Sequence, residues 1–168
     1  METNLQLFNS GEQASKVLTV GLGNFVGTMG GTGATLVVPF IFLLFAKSKQ
    51  LKAVGKASFI PVSFAVNEPL LFAAPMILNP YFFIPFLLTP VVNVCLFDVL
   101  GMNSFMYVLP WATPAPIGLV LGTGMGILAF VLAAVLIVVD FLIYLPFCKA
   151  YDAVLVEKEA QKAEVIAT

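Results

Sequence analysis

Long apolar runs separated by short polar segments dominate the chain. Two of them are continuous enough to predict spanning helices, YFFIPFLLTPVVNVCLFDVLG at 81–101 and LVLGTGMGILAFVLAAVLIVVDFLIYLPF at 119–147. At about 1.5 Å rise per residue, each covers a hydrocarbon core of about 30 Å. A third run, TLVVPFIFLLFA at 35–46, predicts a shorter spanning helix that begins near Ala34 and ends at a lysine-rich loop.

Two further apolar segments contain too much glycine or proline for a straight helix. VGLGNFVGTMGGTGA at 20–34 is dense in glycine, and FIPVSFAVNEPLLFAAPMILNP at 59–80 contains four prolines. We expect the first to be re-entrant or unwound and the second to dip into the membrane and return. Irregular backbone at membrane depth needs protein or water to satisfy its polar groups, so a cavity is implied. The predicted fold is an all-α integral membrane protein with about three full transmembrane helices and two broken or re-entrant hairpin segments.

Composition strengthens the membrane prediction. Hydrophobic residues make up 60% of the 168 positions, charged residues only 10%, and the mean hydropathy is +1.03. In soluble domains roughly a quarter of all residues are charged, so this composition argues against a soluble protein. The net charge of −1 gives no reason to expect a nucleic-acid partner.

The basic residues are concentrated in three places. All eight are lysines: Lys16, then Lys47, Lys49, Lys52 and Lys56, then Lys149, Lys158 and Lys162. Short basic loops tend to stay cytoplasmic, so we predict that the 47–56 loop and the 149–168 tail are both cytoplasmic, with an even number of crossings between them. Residues 1–16 have no basic region before an apolar core, so they do not resemble a signal peptide and are predicted to form a polar loop.

Two cysteines and two aspartates lie within apolar runs. Cys95 and Cys148 have no metal-ligand spacing, and the chain contains no histidine, so we interpret both as buried structural thiols and expect no metal site. Asp98 precedes a turn that contains glycine, and Asp140 lies about 13 Å along a helix from Lys149. Both aspartates are predicted to be helix-end residues near the membrane interface.

Glu68 is the most informative polar residue, because it lies in the middle of a long apolar neighbourhood with prolines on both sides. One interpretation is structural, with Asn67 as a helix cap and Pro69 in the first turn. The other is that Glu68 and Asn67 face a polar cavity and bind a ligand, since a charge at membrane depth costs roughly 2.5 to 3.5 kcal/mol. A hydroxyl-rich ligand would suit a carboxylate and an amide.

Trp111 is the only tryptophan, and it lies in the proline-rich stretch VLPWATPAP. Tryptophan is enriched at membrane surfaces, so an interfacial anchor is one interpretation. Aromatic rings also stack on sugar faces, so a binding-site role is the other.

Five stretches together resemble one known family. They are GGTGATL at 30–36, KSKQLKAVGK at 47–56, VNEPLLFAAPMILNPYFFIPFLLTPVVNV at 66–94, VLPWATPAPIG at 108–118 and FLIYLPFCKAYD at 141–152. In this order they are similar to the lactose and cellobiose (diacetylchitobiose) class of phosphotransferase-system enzyme IIC. The resemblance runs through nearly the whole chain, residues 1–168, and covers the C-terminal, sugar-binding part of that family's membrane domain.

The resemblance implies a sugar permease that works by group translocation. A β-disaccharide such as cellobiose, chitobiose or lactose would bind in an occluded cavity and then be phosphorylated on the cytoplasmic side by a partner IIB subunit. Glu68, with Asn67 beside it, would hold the sugar near the reacting hydroxyl. Gly31 and Gly33 would supply backbone contacts, and Trp111 would stack on the sugar. No catalytic residue is assigned to the chain, although Glu68 is placed to orient the reacting hydroxyl.

The resemblance also implies partners and a location. The expected partners are the IIA and IIB subunits, the N-terminal half of a IIC permease, the lipid bilayer of a bacterial cell membrane and, since the family is homodimeric, a second copy. No cofactor is expected, because IIB delivers the phosphoryl group.

The chain departs from the family in lacking a pocket histidine upstream of the glycine-rich hairpin. A truncated, split or fragmentary reading frame is therefore expected. Two alternatives remain open: a non-functional remnant of such a permease, or an ion-coupled carrier or channel subunit that uses Glu68 as its ion site.

Overall fold

The computed structural model describes residues 2–12, 19–100, 105, 107, 109–111 and 113–167, and these residues form helices, turns and loops without a strand. The helices are α1 (Glu2–Asn9), α2 (Val20–Leu22), α3 (Val38–Phe45), α4 (Lys49–Ser63), α5 (Glu68–Ala73), α6 (Pro80–Val99), α7 (Ala115–Gly122) and α8 (Ile127–Ala167). A five-residue π-turn, Gly23–Gly27, directly follows α2. The all-α prediction is confirmed for the described residues.

Two helices, α6 and α8, are long and apolar enough to cross a membrane among the residues described. Helix α6 has 20 residues and begins at Pro80, where the side chain of Asn79 accepts a hydrogen bond from the Tyr81 N–H at 3.1 Å. Helix α8 has 41 residues, with Pro146 inside it. Its apolar part, residues 127–147, is about 31 Å long and fits the hydrocarbon core, whereas the charged remainder extends beyond it.

The third predicted spanning helix is much shorter than expected. Helix α3 has eight residues, which is about 12 Å and too short to cross the membrane alone. The turns that precede it occupy residues 28–37, which the apolar run had assigned partly to the helix. At its other end the backbone becomes extended at Ala46, directly before the lysine-rich loop.

Both broken segments are present. The glycine-rich segment consists of α2, the π-turn and a hairpin of turns at residues 28–37, which we call the glycine hairpin. The proline-rich segment forms the end of α4, a turn and the six-residue helix α5, and turns at residues 74–79 then lead to α6. The backbone is therefore irregular where glycine and proline are densest, as the sequence predicts.

The predicted polar loop at 1–16 is wrong for its first part. Glu2–Asn9 is the helix α1, and the buried Asn4 side chain donates a hydrogen bond to the Phe105 carbonyl at 3.2 Å. This long-range contact is not visible in a local polar pattern, and it gives the segment a packed face. Residues 13–16 lie outside the described part of the chain.

The glycine-rich segment packs against α6 and α7. The ring of Phe25, in the π-turn, stacks on Phe105 with centroids 6.0 Å apart, and Phe105 stacks on Phe97 of α6 at 5.7 Å. All three rings are fully buried. The π-turn is therefore anchored in the apolar core, and the glycine hairpin follows it directly in the chain.

Candidate functional site

The glycine hairpin is a tight structure that requires glycine at two of the predicted site positions. Gly31 and Gly33 have φ angles of +106° and +84°, which L side chains rarely adopt. A Cβ atom on Gly31 would also overlap the Asn67 side chain, and one on Gly33 would overlap the Phe86 ring. Glycine thus allows the hairpin backbone to lie directly against α6 and the α4–α5 turn.

Asn67 ties the proline-rich segment to this hairpin. Its buried amide nitrogen donates to the Thr32 carbonyl and to the Thr35 hydroxyl oxygen, each at 2.8 Å. The Thr35 hydroxyl in turn donates to the Gly30 carbonyl at 3.2 Å. Asn67 does occupy the N-cap position of α5, but its side chain makes no capping hydrogen bond. The predicted cap is therefore wrong in its chemistry, because the amide is used for the long-range contact.

A second tie comes from α8. The buried Tyr144 hydroxyl donates a hydrogen bond to the Gly33 carbonyl. The hairpin carbonyls thus receive donors from two separate elements, as irregular backbone within a membrane requires. Tyr144 and the threonines are not recognisable as site residues from the sequence, since nothing local distinguishes them from other packed residues.

Glu68 differs from its neighbour. It is the first residue of α5, directly after Asn67, and its side chain is exposed. The structure therefore brings Asn67 into close approach with Gly31, and the exposed Glu68 is the next residue along the chain. An exposed carboxylate can accept hydrogen bonds from a ligand hydroxyl.

Trp111 lies on a different element, in a turn of the connection that leads from α6 to α7. Its side chain is 62% exposed, and it is not part of the Asn67–hairpin contact. Both interpretations of Trp111 remain open.

A cleft of about 500 Å³ opens between α3, α7 and α8. Ser63 is the only residue with a hydroxyl among the described residues that line it, and this hydroxyl already donates to the Phe59 carbonyl at 2.9 Å. The other lining side chains are apolar. A sugar needs several polar partners, so this cleft is not suited to one.

The start of α4 is held by the C-terminal part of α8. The Asp152 carboxylate accepts hydrogen bonds from the Lys47 and Ser48 N–H groups at 2.8 and 2.9 Å. The Glu159 carboxylate accepts from the Ser48 hydroxyl at 2.7 Å and from the N–H groups of the next two residues at 3.2 and 3.0 Å. These hydrogen bonds lower the pKa of Glu159 below its usual value. The lysine-rich loop and the tail are therefore in direct contact at one end of the bundle.

The two aspartates of the apolar runs differ from each other. Asp98 is exposed in the last turn of α6, so its helix-end prediction is confirmed. Asp140 is fully buried in the middle of α8, so the helix-end prediction is wrong there. The helix continues past the expected interface, and the Asn93 side chain from α6 donates to the Asp140 carboxyl at 3.3 Å. The distance to Lys149 was a poor guide, because the helix does not end nearby.

The cysteine prediction is half right. Cys148 is buried in α8, whereas Cys95 is exposed on α6. Cys95 lies between Val91 and Val99 on one stripe of the helix, and both valines are exposed as well. That face of α6 points away from the described bundle.

Comparisons with known proteins identify the family. The family model for the phosphotransferase system, EIIC, matches residues 1–90. The chain is 57% identical over 169 residues to the lactose-specific EIICB component of the PTS system from Staphylococcus haemolyticus (strain JCSC1435), covering 98% of this chain and 29% of that protein. It is 58% identical over 165 residues to the lactose-specific EIICB component from Streptococcus mutans serotype c, covering 96% and 29%.

A solved structure agrees. The crystal structure of the transporter ChbC, the IIC component from the N,N'-diacetylchitobiose-specific phosphotransferase system, matches with a TM-score of 0.89 at 33% identity. The match covers 95% of this chain and 38% of that chain.

The chain belongs to the phosphotransferase-system EIIC family, whose members are integral membrane proteins. It spans about 29% of the length of these two curated relatives.

Proposed function

We propose that this chain is the sugar-binding part of an EIIC permease, acting in a phosphoenolpyruvate-dependent phosphotransferase system. The observation that carries the proposal is that Glu68 is exposed and directly follows Asn67, whose side chain is hydrogen-bonded to the glycine hairpin. In this proposal Glu68 binds and orients a sugar hydroxyl, and Gly31 and Gly33 present backbone groups to the sugar. Trp111 stacks on the sugar from the α6–α7 connection.

The substrate in this proposal is a β-disaccharide of the lactose, cellobiose or chitobiose type. The relatives named lactose-specific support the first, and the ChbC structure named for N,N'-diacetylchitobiose supports the last. A IIB subunit, supplied in turn by IIA, performs the phosphoryl transfer, and an N-terminal half of the permease completes the cavity. The names of the EIICB relatives support the IIB partner. The complete permease is expected to form a homodimer in the bacterial cell membrane.

The test is disaccharide binding and phosphorylation-coupled uptake with the N-terminal half supplied. Hydrogen bonds to a charged group contribute roughly 1.5 to 3 kcal/mol, so Glu68→Ala should weaken binding by about ten- to a hundredfold. Glu68→Gln keeps an acceptor and should bind at an intermediate level. Its uptake should be poor if the charge also polarises the reacting hydroxyl.

Glu157→Ala is the matched control, because Glu157 is an exposed glutamate on the charged part of α8. It should bind the disaccharide as the wild type does. Wild-type affinity in a correctly inserted Glu68→Ala assembly would refute the sugar site. Uptake that follows membrane potential rather than phosphoenolpyruvate would instead support an ion-coupled carrier.

Trp111 has its own readout. If it stacks on the sugar, its fluorescence should change when a β-linked disaccharide is added to the full assembly. Unimpaired binding by Trp111→Leu together with an unchanged spectrum would return Trp111 to the anchor role.

The proposed orientation puts the lysine-rich loop and the tail in the cytoplasm. Their direct contact through Asp152 supports a shared side. Reporter fusions after Lys52 and after Lys162 should both give the cytoplasmic signal, and opposite signals would contradict the orientation.

A further inference from the structure

Asn93 and Asp140 form a polar pair inside the apolar bundle, away from the hairpin contact described above. Asn93 comes from α6 and Asp140 from α8, and both side chains have no exposed surface. Asp140 lies about 20 Å along α8 from Ile127 and about 11 Å before residue 147, where the apolar part ends. The pair is therefore deep in the membrane-spanning region.

The orientation of the Asn93 amide is fixed by its neighbours. One of its contacts, at 3.3 Å, is the carbonyl oxygen of Val26 in the π-turn, and a carbonyl oxygen can only accept a hydrogen bond. The atom that faces Val26 must therefore be the amide nitrogen. The same nitrogen donates its second hydrogen to Asp140 Oδ2 at 3.3 Å, so both of its hydrogens are used.

Two oxygen atoms of the pair are left without a partner among the described residues. They are Asn93 Oδ1 and Asp140 Oδ1, and both are closed to solvent. An amide oxygen and an ionised carboxylate oxygen are both acceptors, so neither can satisfy the other. Leaving both unpaired would be costly, most of all for a charged carboxylate in an apolar interior.

A single proton removes both deficits. A protonated carboxyl group has one O–H donor, and Asn93 Oδ1 is an acceptor that lacks a donor. We propose that Asp140 is a proton-binding site within the membrane, with the proton on Oδ1 donated to Asn93 Oδ1. Carboxyl and amide then form a closed ring of two hydrogen bonds, and the Asn93 amide joins α6, α8 and the π-turn.

The surroundings favour an uncharged Asp140. On α8 the nearest titratable groups are Tyr144, whose hydroxyl is engaged by the Gly33 carbonyl, and the buried Cys148. The π-turn carries no charged residue, and α6 contributes only the exposed Asp98. Lys149, the nearest lysine along α8, has its ammonium group over the Phe45 ring, 5.7 Å from the centroid. No described cation is in place to neutralise a carboxylate.

The first test is infrared spectroscopy of the full permease in lipid at neutral pH. Wild type should show the carbonyl band of a protonated carboxylic acid, and this band should shift in deuterated water and disappear in Asp140→Asn. Asp98→Asn is the matched control and should retain the band, since Asp98 is exposed. The proposal would be overturned if the wild-type spectrum had no protonated-carboxyl band, or if Asp140→Asn retained the whole of that band.

The second test is the pH dependence of thermal stability. A carboxyl group that is protonated when folded and ionised when unfolded takes up a proton on folding, so stability falls as pH rises. The Tm of wild type should therefore drop relative to Asp140→Asn as pH rises above the ordinary aspartate pKa of about 3.9. Asp140→Leu should be less stable than Asp140→Asn, because it removes the α8 partner of the Asn93 amide and leaves only the hydrogen bond to the Val26 carbonyl.

Two results of the second experiment would contradict the site. One is a gap between wild type and Asp140→Asn that does not change with pH. The other is a wild-type Tm that rises with sodium chloride but not with potassium chloride, together with a Tm of Asp140→Asn that responds to neither salt. That result would indicate a bound sodium ion rather than a proton. Asp98→Asn should show no pH-dependent gap from wild type.

Discussion

The glycine hairpin and the start of α4 are both irregular backbone held by distant side chains, but opposite chemistry holds them. In the hairpin the groups that need partners are carbonyl oxygens, and the neutral side chains of Asn67 and Tyr144 donate hydrogen bonds to them. At the start of α4 the groups that need partners are backbone N–H groups, and the carboxylates of Asp152 and Glu159 accept hydrogen bonds from them.

The difference follows from the surroundings of each region. A charged side chain in the apolar bundle would cost more than its hydrogen bonds return, so the hairpin uses an amide and a hydroxyl. At the polar end of the bundle, carboxylates can be used, and they also complement the positive end of the α4 helix dipole. We therefore expect the hairpin to be sensitive to shape and the α4 start to be sensitive to charge.

The largest effect is expected at Gly31. Gly31→Ala combines a φ angle of +106° with overlap between the new Cβ and the Asn67 side chain, so it should destabilise the fold by about 3 kcal/mol or more. Thermal unfolding of the assembled permease measures this change. Gly126→Ala is the control, because a Cβ there meets nothing within 4 Å. Equal Tm values for the two variants would show that the hairpin is not the rigid element described.

The next effect is expected at Asn67. Asn67→Ala leaves the Thr32 carbonyl and the Thr35 hydroxyl without their donor in a buried place, which should cost about 2 kcal/mol. Disaccharide binding should weaken together with stability, since the hairpin would loosen. Asn9→Ala, at an exposed position, should leave both quantities unchanged. An Asn67→Ala variant with wild-type Tm would indicate that the hairpin holds its shape without the amide.

A smaller effect is expected at Asp152. Asp152→Asn keeps one acceptor oxygen for two backbone donors, so one N–H of the Lys47–Ser48 pair loses its partner, at about 1 to 2 kcal/mol. The Tm should fall, and protease cleavage in the 47–56 loop should become faster. Glu157→Gln is the neutral comparison on the same helix. Unchanged cleavage would mean that the loop is held by other contacts.

The smallest effect is expected at Glu159, and it depends on pH. Hydrogen bonds from Ser48 and the backbone of the next two residues lower the pKa of this carboxylate. Its contribution to stability is therefore present above the ordinary glutamate pKa of about 4.3 and is lost as pH falls through the lowered value. Glu159→Gln should remove this acid-range step in the Tm-against-pH curve, whereas Glu157→Gln should keep it. An unaltered curve for Glu159→Gln would assign the step to other groups.

The sequence predicted the features that depend on local composition. Helix α6 follows from its apolar run, and the two broken segments follow from the density of glycine and proline. The run at 119–147 was only partly right, because residues 119–122 belong to α7, residues 123–126 form a turn, and α8 begins at Ile127. The length of α3 could not be predicted, because Leu36 and Val37 are apolar and continue the run, although they lie in a turn and not in the helix. The helical start of the chain was missed, since its polar pattern is locally the same as that of a loop.

The polar contacts were harder to predict, because their partners are far apart in sequence. Asn67 was selected as a site residue, yet its partner Thr35 is 32 positions away and the direction of its amide is set by tertiary packing. Asp140 was judged by its distance from Lys149 along the helix. Its partner Asn93 is 47 positions away, and no local pattern pairs the two.

Pro146 lies in α8 between the two residues that attach this helix to the irregular segments. Tyr144 attaches it to the hairpin on one side of Pro146, and Asp152 attaches it to the start of α4 on the other. Proline cannot donate to the carbonyl four residues earlier, here that of Leu142, so the helix bends most easily at this point. The two attachments therefore lie on either side of the position where α8 bends most easily. A change in the bend at Pro146 would change the angle between the two halves of the helix.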